Sequence, residues 1–77
     1  MIRIAILGAG KIAITMANTL NGMKEKGVRF SCYAIGARDL ERAEAFAKEY
    51  GFEKAYGSYE EMLADENVDL VYVATPH

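Results

Sequence analysis

The sequence contains few of the residues on which several kinds of site depend. Its 77 residues include one cysteine, one proline, one histidine and no tryptophan. A single cysteine, Cys32, excludes an internal disulfide framework and is typical of a reducing compartment. We interpret it as a small buried strand residue rather than a reactive thiol. A single histidine, His77, excludes a histidine-based metal cluster within this chain, and we predict no metal site.

Long apolar runs and a surplus of positive charge are also missing. No run approaches the ~20 apolar residues of a membrane-spanning helix. The apolar run near the N-terminus is short, leads into a glycine turn and lacks the features of a signal peptide. The formal net charge of −2 argues against nucleic acids and anionic membranes as partners, because both favour basic patches. We therefore expect a cytoplasmic protein with neither kind of partner.

The most informative stretch covers residues 2–13, with the sequence IRIAILGAGKIA. An apolar run ends at two glycines and a helical pattern begins, which predicts a strand, a tight turn and a helix N-terminus. Unpaired N–H groups and the helix dipole favour a diphosphate there. Gly8 permits the turn, Gly10 permits close backbone approach, and Ala13 permits close packing of helix and strand. The pattern predicts a dinucleotide site, with a purely structural turn as the alternative; its residues are Gly8, Ala9, Gly10, Lys11 and Ile12.

Strand and helix patterns alternate along the whole chain. We expect strands within residues 2–7, 28–36, 52–57 and 70–74, with helices starting after Gly10, Asp39 and Ser58. The order β-α-β-α-β-α-β predicts an α/β fold with a parallel sheet, since such crossovers are right-handed. We predict the strand order 3-2-1-4, a partial Rossmann fold, which is the first part of a doubly wound sheet. Its ligand is expected beyond the carboxyl ends of strands 1 and 4.

Helical spacing also predicts which side chains face the sheet and how the helices end. Asp39 and Ser58 are expected N-caps, Gly51 a C-terminal cap, and Gly22 a weak point in the last turn of the first helix. Gly27 is expected to close that helix or the loop behind it. The predicted inward residues are Ile12, Met16, Leu20 and Met23 beside Ala13 and Ala17; Leu40, Ala43, Phe46, Ala47 and Tyr50; and Tyr59, Met62 and Leu63.

This architecture leaves part of the sheet without cover. Two helices are expected on one face, only the third on the other, and strand 4 forms an edge. An uncovered parallel sheet is unfavourable. We therefore expect residues 1–77 to be the N-terminal part of a dinucleotide-binding Rossmann domain, or to associate or swap elements with another copy.

Four blocks of sequence resemble the N-terminal part of the glucose–fructose oxidoreductase/inositol dehydrogenase (Gfo/Idh/MocA) family. They are residues 6–13, 37–43, 56–63 and 68–77, and the resemblance as a whole covers essentially all 77 residues. The resemblance implies that the first block binds the cofactor diphosphate, and that Ala74, Thr75 and Pro76 line the nicotinamide end. It also implies a dehydrogenase that transfers a hydride between NAD(P) and a hydroxyl carbon, typically of a sugar or polyol.

The same resemblance implies that the chemistry needs residues outside this chain. The family's catalytic lysine lies in a Glu-Lys-Pro motif beyond the fourth strand, and its substrate domain follows the Rossmann domain. We therefore assign no catalytic residue here and expect these residues alone to be inactive. Lys11 belongs to the diphosphate turn; it lies either near the phosphates or simply exposed in the first helical turn.

The end of the second strand bears on the choice of nicotinamide cofactor. NAD sites usually place a carboxylate there for the ribose 2′-hydroxyl. Here the equivalent residue is Ala37, followed by Arg38, which leaves room for a 2′-phosphate and supplies a planar set of donors. NADP is therefore favoured. NAD is the alternative, with Asp39 as its acidic partner.

Two other functions fit the glycine turn. A pyrroline-carboxylate-reductase-like enzyme has a similar first strand and turn, although residues 58–77 fit it less well. A non-catalytic dinucleotide-sensing module would use the same fold without turnover. A Glu-Lys-Pro motif following His77 in the parent gene would distinguish the family dehydrogenase from both.

Overall fold

A computed structural model describes residues 2–27 and 29–74. The strands are β1 (Ile2–Leu7), β2 (Phe30–Gly36), β3 (Lys54–Tyr56) and β4 (Leu70–Val73), and the helices are α1 (Lys11–Glu25), α2 (Leu40–Tyr50) and α3 (Tyr59–Leu63). The predicted alternation of strands and helices is confirmed. Val28, which we placed at the start of the second strand, lies outside the described residues.

The four strands form one parallel sheet in the order β3-β2-β1-β4. This order confirms the predicted α/β fold of Rossmann type. Since β1 lies between β2 and β4, the turn that follows β1 is flanked by the ends of both neighbours. Leu7 pairs with Gly36 on one side and with Val73 on the other. The fold therefore brings three strand ends to one place.

A bulge in β2 changes which of its side chains share a face. Ile4 pairs with Cys32 and Ala5 pairs with Ala34, so Tyr33 is the extra residue. Cys32 and Ile35 consequently pack in one buried cluster with residues of α1 and α2. Tyr33 and Ala34 pack in a second cluster with Met62 of α3. Strict alternation along the strand would not have predicted this division.

The α1 and α2 side of the sheet is covered closely because the contact residues are mostly small. The buried residues of the two helices are Ala13, Ala17 and Leu20, and Ala43, Phe46 and Ala47. The ring of Phe46 lies 4.6 Å from that of Tyr50 and 5.9 Å from that of Phe52, measured between centroids. This aromatic group closes the core at the end of α2.

Several residues that we predicted to be buried are exposed. Ile12 and Leu40 are 50% and 48% exposed, and Met23 and Leu63 are also exposed. In α1 the contact is centred on the alanines, which turns Ile12 and Met23 away from the sheet. Leu40 is the first residue of α2 and lies over the loop at Gly57. A Cβ added to Gly57 would be 2.9 Å from the Cβ of Leu40. The predicted stripes were therefore too wide.

The helix ends follow the sequence closely. The Asp39 side chain accepts a hydrogen bond from the Glu41 N–H at 2.9 Å, and the Ser58 hydroxyl accepts one from the Glu61 N–H at 3.2 Å. Gly51 ends α2 in the left-handed region, with φ 80°. These three predicted caps are confirmed. The expected weak point at Gly22 does not end α1, which continues to Glu25.

Strand β4 is the least covered element of the sheet. It lies at one edge, and Leu70, Tyr72 and Val73 are exposed, whereas Val71 packs against the Met62 cluster. Exposed apolar side chains on an edge strand are unusual unless something covers them. This agrees with the incomplete cover expected from the sequence. Among the described residues, no helix has the length and apolar character needed to cross a membrane.

The thiol of Cys32 should be chemically inert in the native protein. Cys32 is 1% exposed, and burial raises the pKa of its thiol despite an opposing effect of the Lys24 charge. A disulfide reagent should therefore react about 5,000-fold more slowly than with the urea-unfolded protein, because a stability of about 5 kcal/mol keeps the open fraction that small. Absorbance of the released thiolate measures both rates, and equal rates would contradict the burial of Cys32.

Candidate functional site

A cavity of about 310 Å³ opens at the carboxyl edge of the sheet. It lies where the ends of β1, β2 and β4 meet the beginnings of α2 and α3. This is the edge at which ligands bind in open α/β sheets. We call it the carboxyl-edge cleft. Its lining residues are Gly8, Ala9, Gly10, Ala37, Arg38, Asp39, Arg42, Tyr59 and Ala74.

The glycine turn forms one wall of this cleft. Gly8 has φ 112°, a conformation that side chains disfavour, and its N–H donates to the Gly36 carbonyl oxygen at 2.7 Å. Gly10 is the N-cap of α1 and contributes no side-chain hydrogen bond, and the first turn carries no acidic residue. A Cβ built on Gly10 would meet no atom of the described residues within 4 Å. The turn therefore presents bare backbone at a helix N-terminus.

The opposite wall begins where β2 ends. Ala37 is buried, and its N–H donates to the Tyr56 carbonyl oxygen at 3.0 Å. Arg38 and Asp39 follow and are exposed. One oxygen of the Asp39 carboxylate is engaged as the N-cap of α2. The wall therefore offers a small side chain, a guanidinium and a carboxylate committed to its own helix.

Two lining residues were missed by the sequence reasoning. Arg42 lies in the first turn of α2, only four positions after Arg38, and its place near the start of that helix was a usable signal. Tyr59 was predicted only as a core residue, although its ring is half-buried in the wall of the cleft. The Arg38 Cζ lies 5.9 Å from the centre of the Tyr59 ring. Nothing local in the sequence indicates that contact, because it depends on how α3 packs.

The remaining predicted site residues divide into three groups. Lys11 and Ile12 are exposed in the first turn of α1 and are not among the residues that line the cleft. Ala74 lines the cleft, and its N–H donates to the Leu7 carbonyl oxygen at 2.9 Å. Thr75 and Pro76 lie outside the described residues. The structure thus brings six of the ten predicted residues together: Gly8, Ala9, Gly10, Ala37, Arg38 and Ala74.

A second polar group lies on the α3 side and contributes no lining residue. The hydroxyls of Tyr33 and Tyr56 both donate to the Asp65 carboxylate, which also accepts from the Asn67 N–H at 2.8 Å. The hydrogen bond with Asp65 raises the pKa of Tyr56 to about 12. The same bond, more than any other contact, holds the pKa of Asp65 below its usual value. This group ties the loop before β4 to β2 and β3.

No cluster of His, Cys, Asp and Glu suited to a metal ion occurs within residues 2–27 and 29–74. The carboxyl-edge cleft offers backbone donors, two guanidinium groups, one aromatic ring and the Asp39 carboxylate, one oxygen of which accepts a hydrogen bond from the Glu41 N–H. Charge-assisted bonds from guanidinium to phosphate are among the stronger hydrogen bonds in proteins. The arrangement suits an elongated anionic ligand that contacts the glycine turn and the beginning of α2.

Comparison with known proteins adds a family and a fold. The model of the GFO_IDH_MocA oxidoreductase family, described as an NAD-binding Rossmann fold, matches residues 2–77. Trans-1,2-dihydrobenzene-1,2-diol dehydrogenase of Mus musculus is 42% identical over 76 residues, which cover 99% of this chain and 22% of that protein. The Oryctolagus cuniculus protein of the same name is 40% identical over 72 residues, covering 94% of this chain and 21% of that protein. This chain spans about a fifth of the length of these relatives.

Solved structures agree on the fold. An NAD binding oxidoreductase from Klebsiella pneumoniae superposes with a TM-score of 0.86 at 30% identity, covering 97% of this chain and 21% of that one. Levoglucosan dehydrogenase in complex with NADH and levoglucosan gives a TM-score of 0.88 at 19% identity, covering the same shares. At that identity the second likeness concerns the fold alone.

Proposed function

Because this chain belongs to the Gfo/Idh/MocA oxidoreductase family, we propose that its carboxyl-edge cleft binds NADP in a sugar or polyol dehydrogenase. When bound, the nicotinamide accepts or delivers the hydride. The observation that carries the proposal is the single cleft that joins the bare glycine turn to Arg38 and Arg42. The polyol-type substrate is supported by the diol dehydrogenase name of the mouse relative.

The glycine turn is the part of the cleft that fits the diphosphate. Gly10 provides a helix N-terminus without a side chain, and the Cβ position there meets no described atom within 4 Å. Backbone N–H groups at such a terminus bind phosphate oxygens, with support from the helix dipole. Ala9, Lys11 and Ile12 complete this segment. Ala74, Thr75 and Pro76 are assigned to the nicotinamide end, as the family resemblance implies.

The beginning of α2 favours NADP over NAD. Ala37 places no carboxylate beside the ribose, and Arg38 and Arg42 bring two positive charges to the same wall. Asp39, the acidic alternative, already accepts a hydrogen bond from its own helix. The alternative remains NAD, favoured by the name of the Klebsiella pneumoniae neighbour and by the presence of Asp39 in the cleft.

We further propose that residues 1–77 form the N-terminal part of the cofactor domain, with substrate binding and catalysis supplied elsewhere in the protein. The exposed apolar side chains of β4 support this, since they suit a face that further structure covers. The alternative is that a second copy of this chain associates through β4 and covers these apolar side chains. The greater length of the relatives supports the first explanation, in which further parts of the same protein cover β4.

Titration calorimetry of the full-length protein with NADPH and with NADH tests the cofactor assignment. We expect NADPH to bind about 10-fold or more tightly, since one charge-assisted hydrogen bond contributes about 1.5–3 kcal/mol. Arg38→Ala should remove most of that difference and leave NADH affinity within about 2-fold. Arg29→Ala, which removes an exposed arginine outside the cleft, is the matched control.

Other results would point elsewhere. A preference for NADH would overturn the assignment to NADP and favour Asp39 as the acidic partner of the ribose. Binding of neither cofactor by folded protein would mean that the glycine turn is only structural. Tight binding without oxidation of any sugar, polyol or diol tested would favour a dinucleotide-sensing module.

A further inference from the structure

Tyr59 is the one aromatic residue among the described residues that line the carboxyl-edge cleft. Its ring centre lies 5.9 Å from the Arg38 Cζ, within the range of a cation–π interaction. Arg38 is exposed, whereas Tyr59 is half-buried. The ring is therefore the better fixed member of the pair, and Arg38 is the member whose position needs support.

The position of Tyr59 is set by contacts outside the cleft. Tyr59 is the first residue of α3, directly after the N-cap Ser58, whose hydroxyl accepts from the Glu61 N–H. Met62 of the same helix is fully buried and lies against β2, since a Cβ built on Gly36 would be 2.8 Å from its sulfur. The cap and this anchor hold α3, and with it the ring, beside the end of β2.

We infer that Tyr59 is a positioning residue for cofactor selection, which holds the Arg38 guanidinium where it binds the 2′-phosphate of NADP. This inference rests on the proposed function. A guanidinium placed over a ring keeps its planar set of donors directed outward from its edge, where a phosphate binds. Arg42, in the first turn of α2, adds a second positive charge to the lining of the cleft. The ring acts only through Arg38 and therefore affects the 2′-phosphate alone.

This role is distinguishable from simple support of the cofactor. A ring that stacks on adenine, or merely stabilises the wall, would strengthen NADPH and NADH binding equally. A ring that acts through Arg38 changes the ratio of the two dissociation constants and leaves NADH binding almost unchanged. The ratio is therefore the quantity to measure.

The experiment compares Tyr59→Leu and Tyr59→Phe in the full-length protein by calorimetry with NADPH and NADH. Tyr59→Leu should reduce the preference for NADPH by about 2- to 5-fold, the size expected of an exposed cation–π contact. Tyr59→Phe keeps the ring and should retain the preference. In an Arg38→Ala background, Tyr59→Leu should leave the ratio unchanged. Leu63→Ala, an exposed change on the same helix, is the control and should alter neither constant.

A measurement on the wild-type protein makes the test independent of how the variants fold. Ring currents from Tyr59 should shift the Arg38 side-chain proton resonances upfield of their random-coil positions in NMR spectra. Unshifted resonances would overturn the inference. So would equal loss of NADPH and NADH binding in Tyr59→Leu, or a Phe variant that behaves like the Leu variant.

The two proposals fail in different ways. A wild-type preference for NADH would overturn the assignment to NADP and the role of Tyr59 together. A wild-type preference for NADPH that Tyr59→Leu leaves intact would overturn the role of Tyr59 alone.

Discussion

Gly10→Val should weaken dinucleotide binding by about 10-fold or more, because each charge-assisted hydrogen bond lost at the turn costs about 1.5–3 kcal/mol. The fold should survive the change. Gly10 has φ −92° and ψ −163°, extended values that valine adopts readily, and a Cβ there meets no described atom within 4 Å. Replacing glycine at this N-cap should cost about 1 kcal/mol at most. The side chain would instead occupy the space that a diphosphate needs.

Gly22→Ala is the matched control for this variant. Gly22 lies within α1, and a Cβ built there also meets no described atom within 4 Å. Alanine inside a helix should stabilise the protein by about 0.5–1 kcal/mol and leave the dissociation constants unchanged. Calorimetric titration and thermal unfolding of both variants provide the comparison. Unchanged affinity in Gly10→Val would show that the turn does not contact the diphosphate.

Met62→Ala should destabilise the protein by about 2–5 kcal/mol, the usual cost of truncating a buried large side chain. Met62 is 0% exposed and is the buried residue of α3, where it packs with Ala5, Tyr33 and Ala34. Globular proteins are stable by only about 5–15 kcal/mol, so this loss is a large share of the free energy of unfolding. The midpoint of urea unfolding, followed by circular dichroism, should fall with little change in slope.

Leu63→Ala distinguishes burial from helix propensity in this prediction. Leu63 is the next residue of α3 and is 57% exposed. Its truncation should change the free energy of unfolding by about 0.5 kcal/mol or less. Similar losses in the two variants would show that α3 is not anchored by Met62.

The order of elements could be predicted because local chemistry specifies it. Helix caps and apolar strand segments are encoded by residues that lie close together in the sequence. The caps at Asp39 and Ser58 and the left-handed residue Gly51 are examples, since each makes its hydrogen bond within four residues. Parallel pairing then follows from the right-handed crossover, which leaves few possible orders. Six of the ten predicted site residues meet in one cleft for the same reason: they lie at strand ends that this order brings together.

What the sequence did not predict depends on contacts between elements. The bulge at Tyr33 interrupts the alternation of β2 side chains between the two faces of the sheet. No local sequence pattern in β2 predicts this bulge. The exposure of Ile12 and Leu63 depends on the angles at which α1 and α3 meet the sheet. Tyr59 reaches Arg38 only because Met62 holds α3 in place. Such placements come from packing rather than from hydrophobic periodicity.

The carbonyl and N–H groups at the carboxyl edge bear on the entropy of binding. Ala74 donates to Leu7, Gly8 donates to Gly36, and Ala37 donates to Tyr56, at 2.9, 2.7 and 3.0 Å. These bonds connect the ends of all four strands in sheet order. Fixing the backbone of one residue costs about 1–2 kcal/mol of conformational entropy. At this edge the backbone is already fixed in the folded protein, before any ligand binds. The loss of freedom on binding therefore falls mainly on long side chains such as Arg38, which is where the structure places an aromatic ring.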